Sequence, residues 1–186
     1  MIFDFRSGGS THQQMTIEGQ GIEVVEEYKY LGTIIDAKLS WNTNTDAIYK
    51  KGLQRLYFMR KLRQFRVEKD MMVLFYRSFV ESILTFCSIA WYLSLSVTNK
   101  SKLHRIVNMA SKIAGLQLSS LTTICESRVV RKGQAICGDG LHPLFQAYEV
   151  LPSGRRYRVP SLQTNRARKS FIPTSITLLN KLGKIT

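Results

Sequence analysis

The rhythm of apolar and polar positions changes near Trp41. Before it, short alternating or β-branched runs predict strands at residues 2–6 (Ile2-Phe3-Asp4-Phe5-Arg6), Met15 to Glu18, Ile22 to Val25 and 30–35. Ser7-Gly8-Gly9-Ser10 reads as a turn or loop, and Gly19-Gln20-Gly21 as the link of a hairpin between the two middle strands. After Trp41 the spacing becomes helical. A first helix is expected from about Thr43 to Phe65, capped by one of Asn42 to Asp46. On its wheel Ile48, Tyr49, Gly52, Leu53, Leu56, Tyr57 and Met59 share one half, and Lys50, Lys51, Gln54, Arg55 and Lys61 the other. Arg60 falls within the apolar arc and Phe58 within the basic one, where a nucleic-acid surface would use an aromatic ring.

A second helix from Val67 to Leu84 is apolar on most sides and is expected to be the central, most buried one. Within it, Arg77 and Glu81 stand four apart as a candidate ion pair. A third helix, Lys100 to Leu116 with Thr98 or Asn99 as cap, carries the stripe Leu103, Ile106, Val107, Ala110, Ile113 and Ala114. A fourth runs from about Leu118 to Ala135, and Gly138-Asp139-Gly140 turns into a short helical piece at His142 to Phe145. Pro152 to Lys169 is Arg-rich and broken by prolines, an extended or partly disordered arm before a last helix at Phe171 to Leu182. The fold class is therefore α+β, mostly α. Four units are expected: a β-rich segment at 1–41, a helical bundle at 42–117, further helices at 118–150 and a basic arm at 151–186.

Charge sharpens this division. The net charge of +14 points to a polyanionic partner. Through Asp46 seven acidic residues face three basic ones, whereas from Ala47 onward 24 basic face six acidic, so the helical part is the place to look for that partner. A 44% hydrophobic content is enough for a core. Cys87, Cys125 and Cys137 are odd in number and widely spaced, which fits an intracellular setting, cytoplasm or nucleus, better than a secreted disulfide framework. The opening residues lack a secretory signal pattern. The uncharged run Ser82 to Val97 is shorter than the roughly 20 residues that cross a bilayer and reads as a buried helix end with its exit loop.

Catalytic patterns are absent from the sequence. Cys125, Cys137 and His142 are spaced C-x11-C-x4-H without the paired C-x2-C of a zinc site, and no phosphate-binding glycine loop or nucleophile elbow occurs. Two-metal nucleotidyl transfer needs clustered carboxylates, and Glu26-Glu27 has no second acidic motif to complete it. Asp36 ends a strand, as a turn or cap residue would. No metal, cofactor or autonomous enzymatic activity is expected.

Several motifs in series resemble one family. Tyr28-Lys29-Tyr30-Leu31-Gly32, Asp36, Leu39-Ser40-Trp41 and Arg60-Lys61-Leu62-Arg63 look like the region after the catalytic palm in reverse transcriptases of non-LTR (LINE) retrotransposons. Phe75-Tyr76-Arg77-Ser78-Phe79-Val80-Glu81-Ser82-Ile83-Leu84 and Trp91-Tyr92 resemble the next helix of that family. Arg156-Tyr157-Arg158-Val159-Pro160, Thr164-Asn165-Arg166 and Ser170-Phe171-Ile172-Pro173 resemble its tail. The stretch from about Thr122 to Val150 matches least, and Tyr92-Leu93-Ser94 stands where the family often has Gly after the aromatic pair. The resemblance implies that Tyr28, Lys29, Tyr30, Leu31 and Gly32 form a primer grip and that the helices from Thr43 to Leu116 form a thumb. It further implies that the aromatic-x-Asp-Asp motif, the fingers and most of the palm would lie upstream of Met1, as parts of a longer polyprotein. The chain would then bind template–primer duplex without the catalytic aspartates.

The segment at residues 28–62 also resembles what is classed as the N-terminal domain of AlkB homologue 8, a tRNA-modifying protein. The dioxygenase of that protein needs a His-x-Asp…His iron site and its methyltransferase a glycine-rich cofactor loop, and this sequence has neither. The likeness is of a segment, not of an activity. From charge and helix phase, Lys50, Lys51, Gln54, Arg55 and Lys61 are the residues expected to meet nucleic acid, the alternatives being a basic interaction or membrane-surface module and a decayed fragment with a solvated basic face and no function.

Overall fold

The structure is a computed structural model in which residues 15–183 are described. The strand expected at residues 2–6 and the loop after it lie outside the described residues. The described part opens with two separate antiparallel hairpins, β1 (Thr16–Ile17) with β2 (Gln20–Gly21) and β3 (Glu27–Tyr30) with β4 (Thr33–Asp36). Helices follow: α1 (Asn42–Gln64), α2 (Lys69–Phe75), a π-helical stretch Tyr76–Glu81, α3 (Ser82–Leu84), α4 (Ser88–Trp91), α5 (Val97–Ala114), α6 (Leu121–Cys137), α7 (Asn165–Arg168) and α8 (Phe171–Leu182). The architecture is α+β and mostly α, as the sequence pattern indicates.

Both hairpins turn differently from the expectation. Each uses a two-residue loop with both φ angles positive, Glu18 (51°) with Gly19 (79°) and Leu31 (44°) with Gly32 (86°). Those are the signs a type I′ turn requires, and its twist matches that of the strands it joins. Gln20 and Gly21 are therefore paired strand residues instead of a linker, and Ile22 to Val25 is not a strand. The run at 30–35 is likewise broken at Leu31-Gly32. A leucine at positive φ is uncommon, so nothing in its residue type announces the turn.

The polar run Asn42 to Asp46 does not cap α1 with its side chains; the N-cap is Trp41, at φ 63°. The run anchors the helix start instead. The Asn99 amide donates to Asn42 Oδ1 (2.8 Å), the Thr43 hydroxyl to Glu27, and the Ile34 N–H to Asn44 Oδ1 (3.1 Å). Asp46 pairs with Lys102. One turn of helix is thus tied to β3, β4 and α5 at once. Asp36 shapes the approach: its carboxylate accepts the N–H groups of Lys38, Ser40 and Trp41 at 2.9–3.1 Å and the Ser40 hydroxyl at 3.2 Å. Burial alone would raise its pKa, but the hydrogen bonds from Ser40, Trp41 and Lys38 outweigh it and hold the carboxyl below its ordinary value. Asp36 is a turn organiser, as its place at a strand end suggested.

The main core is built on α5. Leu103, Ile106, Val107, Ala110 and Ala114 are buried against Ile48, Leu56 and Met59 of α1. The two helices approach closely at Gly52, where an added Cβ would stand 3.3 Å from the Ile106 side chain. The caps of α5 and α6 are Ser96 and Ser120, whose hydroxyls accept the N–H groups of Asn99 (3.2 Å) and Thr123 (3.1 Å). The α5 cap thus lies upstream of the Thr98 or Asn99 expected. Gly115, at φ 70°, ends α5 in the left-handed conformation that suits a glycine.

The helical run Lys69–Leu84 is not the most buried element. It commits Met72, Tyr76, Val80 and Leu84 to the core and leaves Met71, Leu74 and Phe79 exposed. Arg77 and Glu81 form no ion pair. They fall within the π-helical stretch, whose wider turn breaks the α-helical spacing on which such pairing rests. After Leu84 the chain bends by 41°, and the freed carbonyls find partners: Arg128 Nη1 donates to Thr85 O (2.7 Å) and Trp91 Nε1 to Phe86 O (2.9 Å). Trp91, Tyr92 and Leu95 beyond the bend are buried, as expected of a helix end and its exit loop. Among the described residues no single helix is long and apolar enough to cross a membrane, although Lys69–Leu84 and Ser88–Ser94 reach that length and composition as a bent pair.

A second, smaller core joins the far end of α6 to α8 through Ile136, Tyr148, Tyr157, Ile176 and Leu179. Asn180 clamps the arm there, accepting from Tyr157 N–H (2.8 Å) and donating to Tyr157 O (2.9 Å). The Arg-rich arm is therefore fastened at Tyr157 and includes the short helix α7.

Candidate nucleic-acid interface

The core-facing side of α1 decides what is left for its other side. Ile48, Gly52, Leu56 and Met59 point inward, so Lys50, Lys51, Gln54, Arg55 and Lys61 are all exposed. Among the described residues no carboxylate pairs with Lys50, Lys51 or Arg55. Lys61 bonds Gln64 Oε1 (3.3 Å) and lies 5.8 Å over the Tyr57 ring. The apolar arc is narrower than the wheel implied, for Leu53 and Tyr57 face solvent, and Arg60 is exposed with them. Arg63 instead braces a neighbouring helix. Its guanidinium donates to the carbonyls of Lys112 (3.2 Å) and Ile113, fastening the last turn of α5.

The strand residues lie elsewhere. Tyr28 and Tyr30 are more than half exposed on β3, paired across the hairpin with Ile35 and Thr33. Leu31 and Gly32 form the tip, and a Cβ on Gly32 would touch the Phe86 ring at 3.4 Å. Lys29 is exposed on the opposite hairpin face, paired with Ile34. The α1 cations thus share one surface with each other, while the residues from Tyr28 to Gly32 sit on a hairpin docked at the helix's other end.

Helix phase alone missed the neighbour of this surface. Arg55, Phe58, Lys61, Leu62 and Phe65 of the α1 side line an open groove whose far wall is Phe75 and Phe79, with a volume of about 330 Å³. Phe75 and Phe79 stack with ring centroids 4.9 Å apart at 28°. Phe58, Phe65 and Phe79 are 50%, 77% and 49% exposed, with one ring face of Phe79 laid on Phe75. The sequence did hold a signal, a Phe-x3-Phe pair on a helix apolar all round, which one buried face could not use up.

A separate half-buried cluster joins Tyr92, His104 and Thr122. The Tyr92 hydroxyl lies 3.0 Å from His104 Nε2 and 2.9 Å from Thr122 Oγ1. Burial, then the nearby Lys100, pushes the His104 pKa down. This cluster ties the turn that follows α4 to α5 and α6. Among the described residues no group of His, Cys, Asp and Glu side chains is placed to hold a metal ion.

The two helices that wall the groove also carry a family likeness. A family model described as "Alkylated DNA repair protein alkB homolog 8, N-terminal" matches residues 41–82. This is a segmental likeness to that family. It covers under a quarter of the chain. The match begins at Trp41, so the strands in the 28–62 resemblance are outside it, and it runs on through α1, α2 and the π-helical stretch. No curated protein and no solved structure matches the chain. The primer-grip and thumb roles rest on the quoted motifs alone.

Proposed function

We propose that this chain is an intracellular nucleic-acid-binding module without catalytic activity of its own, and that α1 supplies the phosphate-binding face. The observation that carries this is the exposed set Lys50, Lys51, Arg55 and Lys61 on one helix face, none of them with a carboxylate partner among the described residues. Unpaired cations on a rigid helix release condensed counterions when they neutralise phosphates, which is the main source of sequence-independent affinity. Both resemblances favour the same class of partner. The matched family's description names DNA repair, and the reverse-transcriptase likeness implies template–primer duplex. On the second, the chain is a piece of a mobile-element polymerase that holds duplex for a palm encoded with it. On the first, which the segment match supports more directly, α1 and α2 belong to an AlkB homologue 8 N-terminal-like module in a tRNA-modification context, without catalytic residues of its own.

Fluorescence anisotropy with a labelled 20-base-pair duplex tests the shared reading. The full chain should bind the duplex, and replacing Lys50, Lys51, Arg55 and Lys61 together by Gln should weaken binding at least tenfold while the helical circular dichroism persists. Equal affinity of the two proteins would remove α1 from the interface. Competition between duplex and transfer RNA separates the two versions. Binding to anionic vesicles that RNA cannot displace would favour a membrane-surface role instead.

A further inference from the structure

The groove between α1 and the Lys69–Leu84 run is an exposed apolar surface that the fold leaves uncovered. It is lined by four phenylalanines, one leucine and two cations, with no carboxylate among the lining residues. Its volume of about 330 Å³ lies at the lower end of ligand-sized clefts. Exposed aromatic clusters of this kind mark a contact site, since scattered single residues would need no explanation.

We propose that this groove is a stacking subsite for unpaired nucleobases, so that the preferred ligand is a duplex carrying a single-stranded extension. The inference rests on the nucleic-acid function proposed for α1 and narrows its substrate class. Three features carry it. Phe58, Phe65 and Phe79 expose about half or more of their surface, and every base offers a π-face to such a platform whatever its sequence. Arg55 and Lys61 lie at the same groove, placed for the phosphates that accompany each base. Phe58 belongs to the face that also carries Lys50 and Lys51, so a strand leaving a duplex bound there would pass directly over the groove. Phe79 stacks on Phe75, giving the far wall two adjoining rings. An amphipathic protein helix could also use an apolar groove, but the wholly cationic polar lining favours an anionic backbone over a mixed-charge peptide.

The test compares a blunt duplex with the same duplex bearing a six-nucleotide overhang that contains 2-aminopurine. The full chain should bind the overhang form about tenfold more tightly, as one well-stacked base would provide, and should quench the 2-aminopurine. Phe79→Leu, on the wall away from the α1 cations, should abolish the preference and the quenching while leaving blunt-duplex affinity within about twofold. If Phe79→Leu loses its fold by circular dichroism, Phe65→Leu, at a ring three-quarters exposed, gives the same reading. Equal affinity for the two duplexes would overturn the proposal and leave the phosphate face standing. Binding of neither would remove both. Capture of a Glu-rich amphipathic peptide, lost in the same variants and without any overhang preference, would assign the groove to a protein partner and overturn it as well.

Discussion

Helix α5 and the run Lys69–Leu84 are both rich in apolar residues, yet they spend them differently. In α5 Leu103, Ile106, Val107, Ala110 and Ala114 form one buried stripe packed mainly on α1, and the polar residues Arg105 and Lys112 face outward. In Lys69–Leu84 they surround the helix, and only part of that surface finds a protein partner. A stripe specifies a core. An all-round apolar surface on a helix packed on one side leaves a remainder, and here the remainder is the phenylalanine wall of a groove beside a basic face. Burial thus marks what holds the fold, and exposure of large apolar groups marks what contacts something else.

Breaking the α5 side should have the largest effect. Leu103 is fully buried, and Leu103→Ala should cost about 2–5 kcal/mol in urea unfolding through lost transfer energy and an unfilled cavity. Gly52→Leu, which forces a side chain against Ile106 already at 3.3 Å, should cost at least about 1–3 kcal/mol by overpacking. Ser96→Ala removes the α5 cap and should cost about 0.5–2 kcal/mol. On the other side, Phe79→Ser should change stability by no more than about 0.5 kcal/mol, because the ring is already half exposed. A loss as large as that of Leu103→Ala would mean that the wall belongs to the core after all.

The pH dependence sharpens the same contrast. His104 is held below its ordinary pKa of 6.5 where α5 meets α6 and the turn after α4. A group depressed in the fold contributes stability that is complete above the unfolded value and is lost as pH falls through the folded one. Stability measured by thermal melting should therefore begin to decline below about pH 6.5, and His104→Gln should reduce that decline.

The helices were largely legible because stripes such as Leu103 to Ala114 repeat at the helical period and because serines and glycine flank them. The hairpins were less legible. Leu31 at φ 44° turns the chain in the middle of a β-branched run, a conformation held by pairing on both sides, not announced by leucine itself. The run Asn42 to Asp46 reads as a cap by composition, but its partners are Glu27, Ile34, Asn99 and Lys102, positions that no local pattern brings together. At the candidate interface, the α1 cations followed from helix phase alone. The groove did not, since Phe75 and Phe79 meet Phe58 and Phe65 only through the packing of two helices, and a π-helical stretch has no periodic signature to read in advance.

The most direct test of the phosphate face is the salt dependence of duplex binding. Log affinity should fall linearly with log salt concentration, with a slope of about −0.9 for each phosphate contact. Replacing Lys50, Lys51, Arg55 and Lys61 by Gln should make that slope shallower by about 3–4, the loss of about four contacts. A slope that the four substitutions leave unchanged would contradict the assignment of this helix face to nucleic acid.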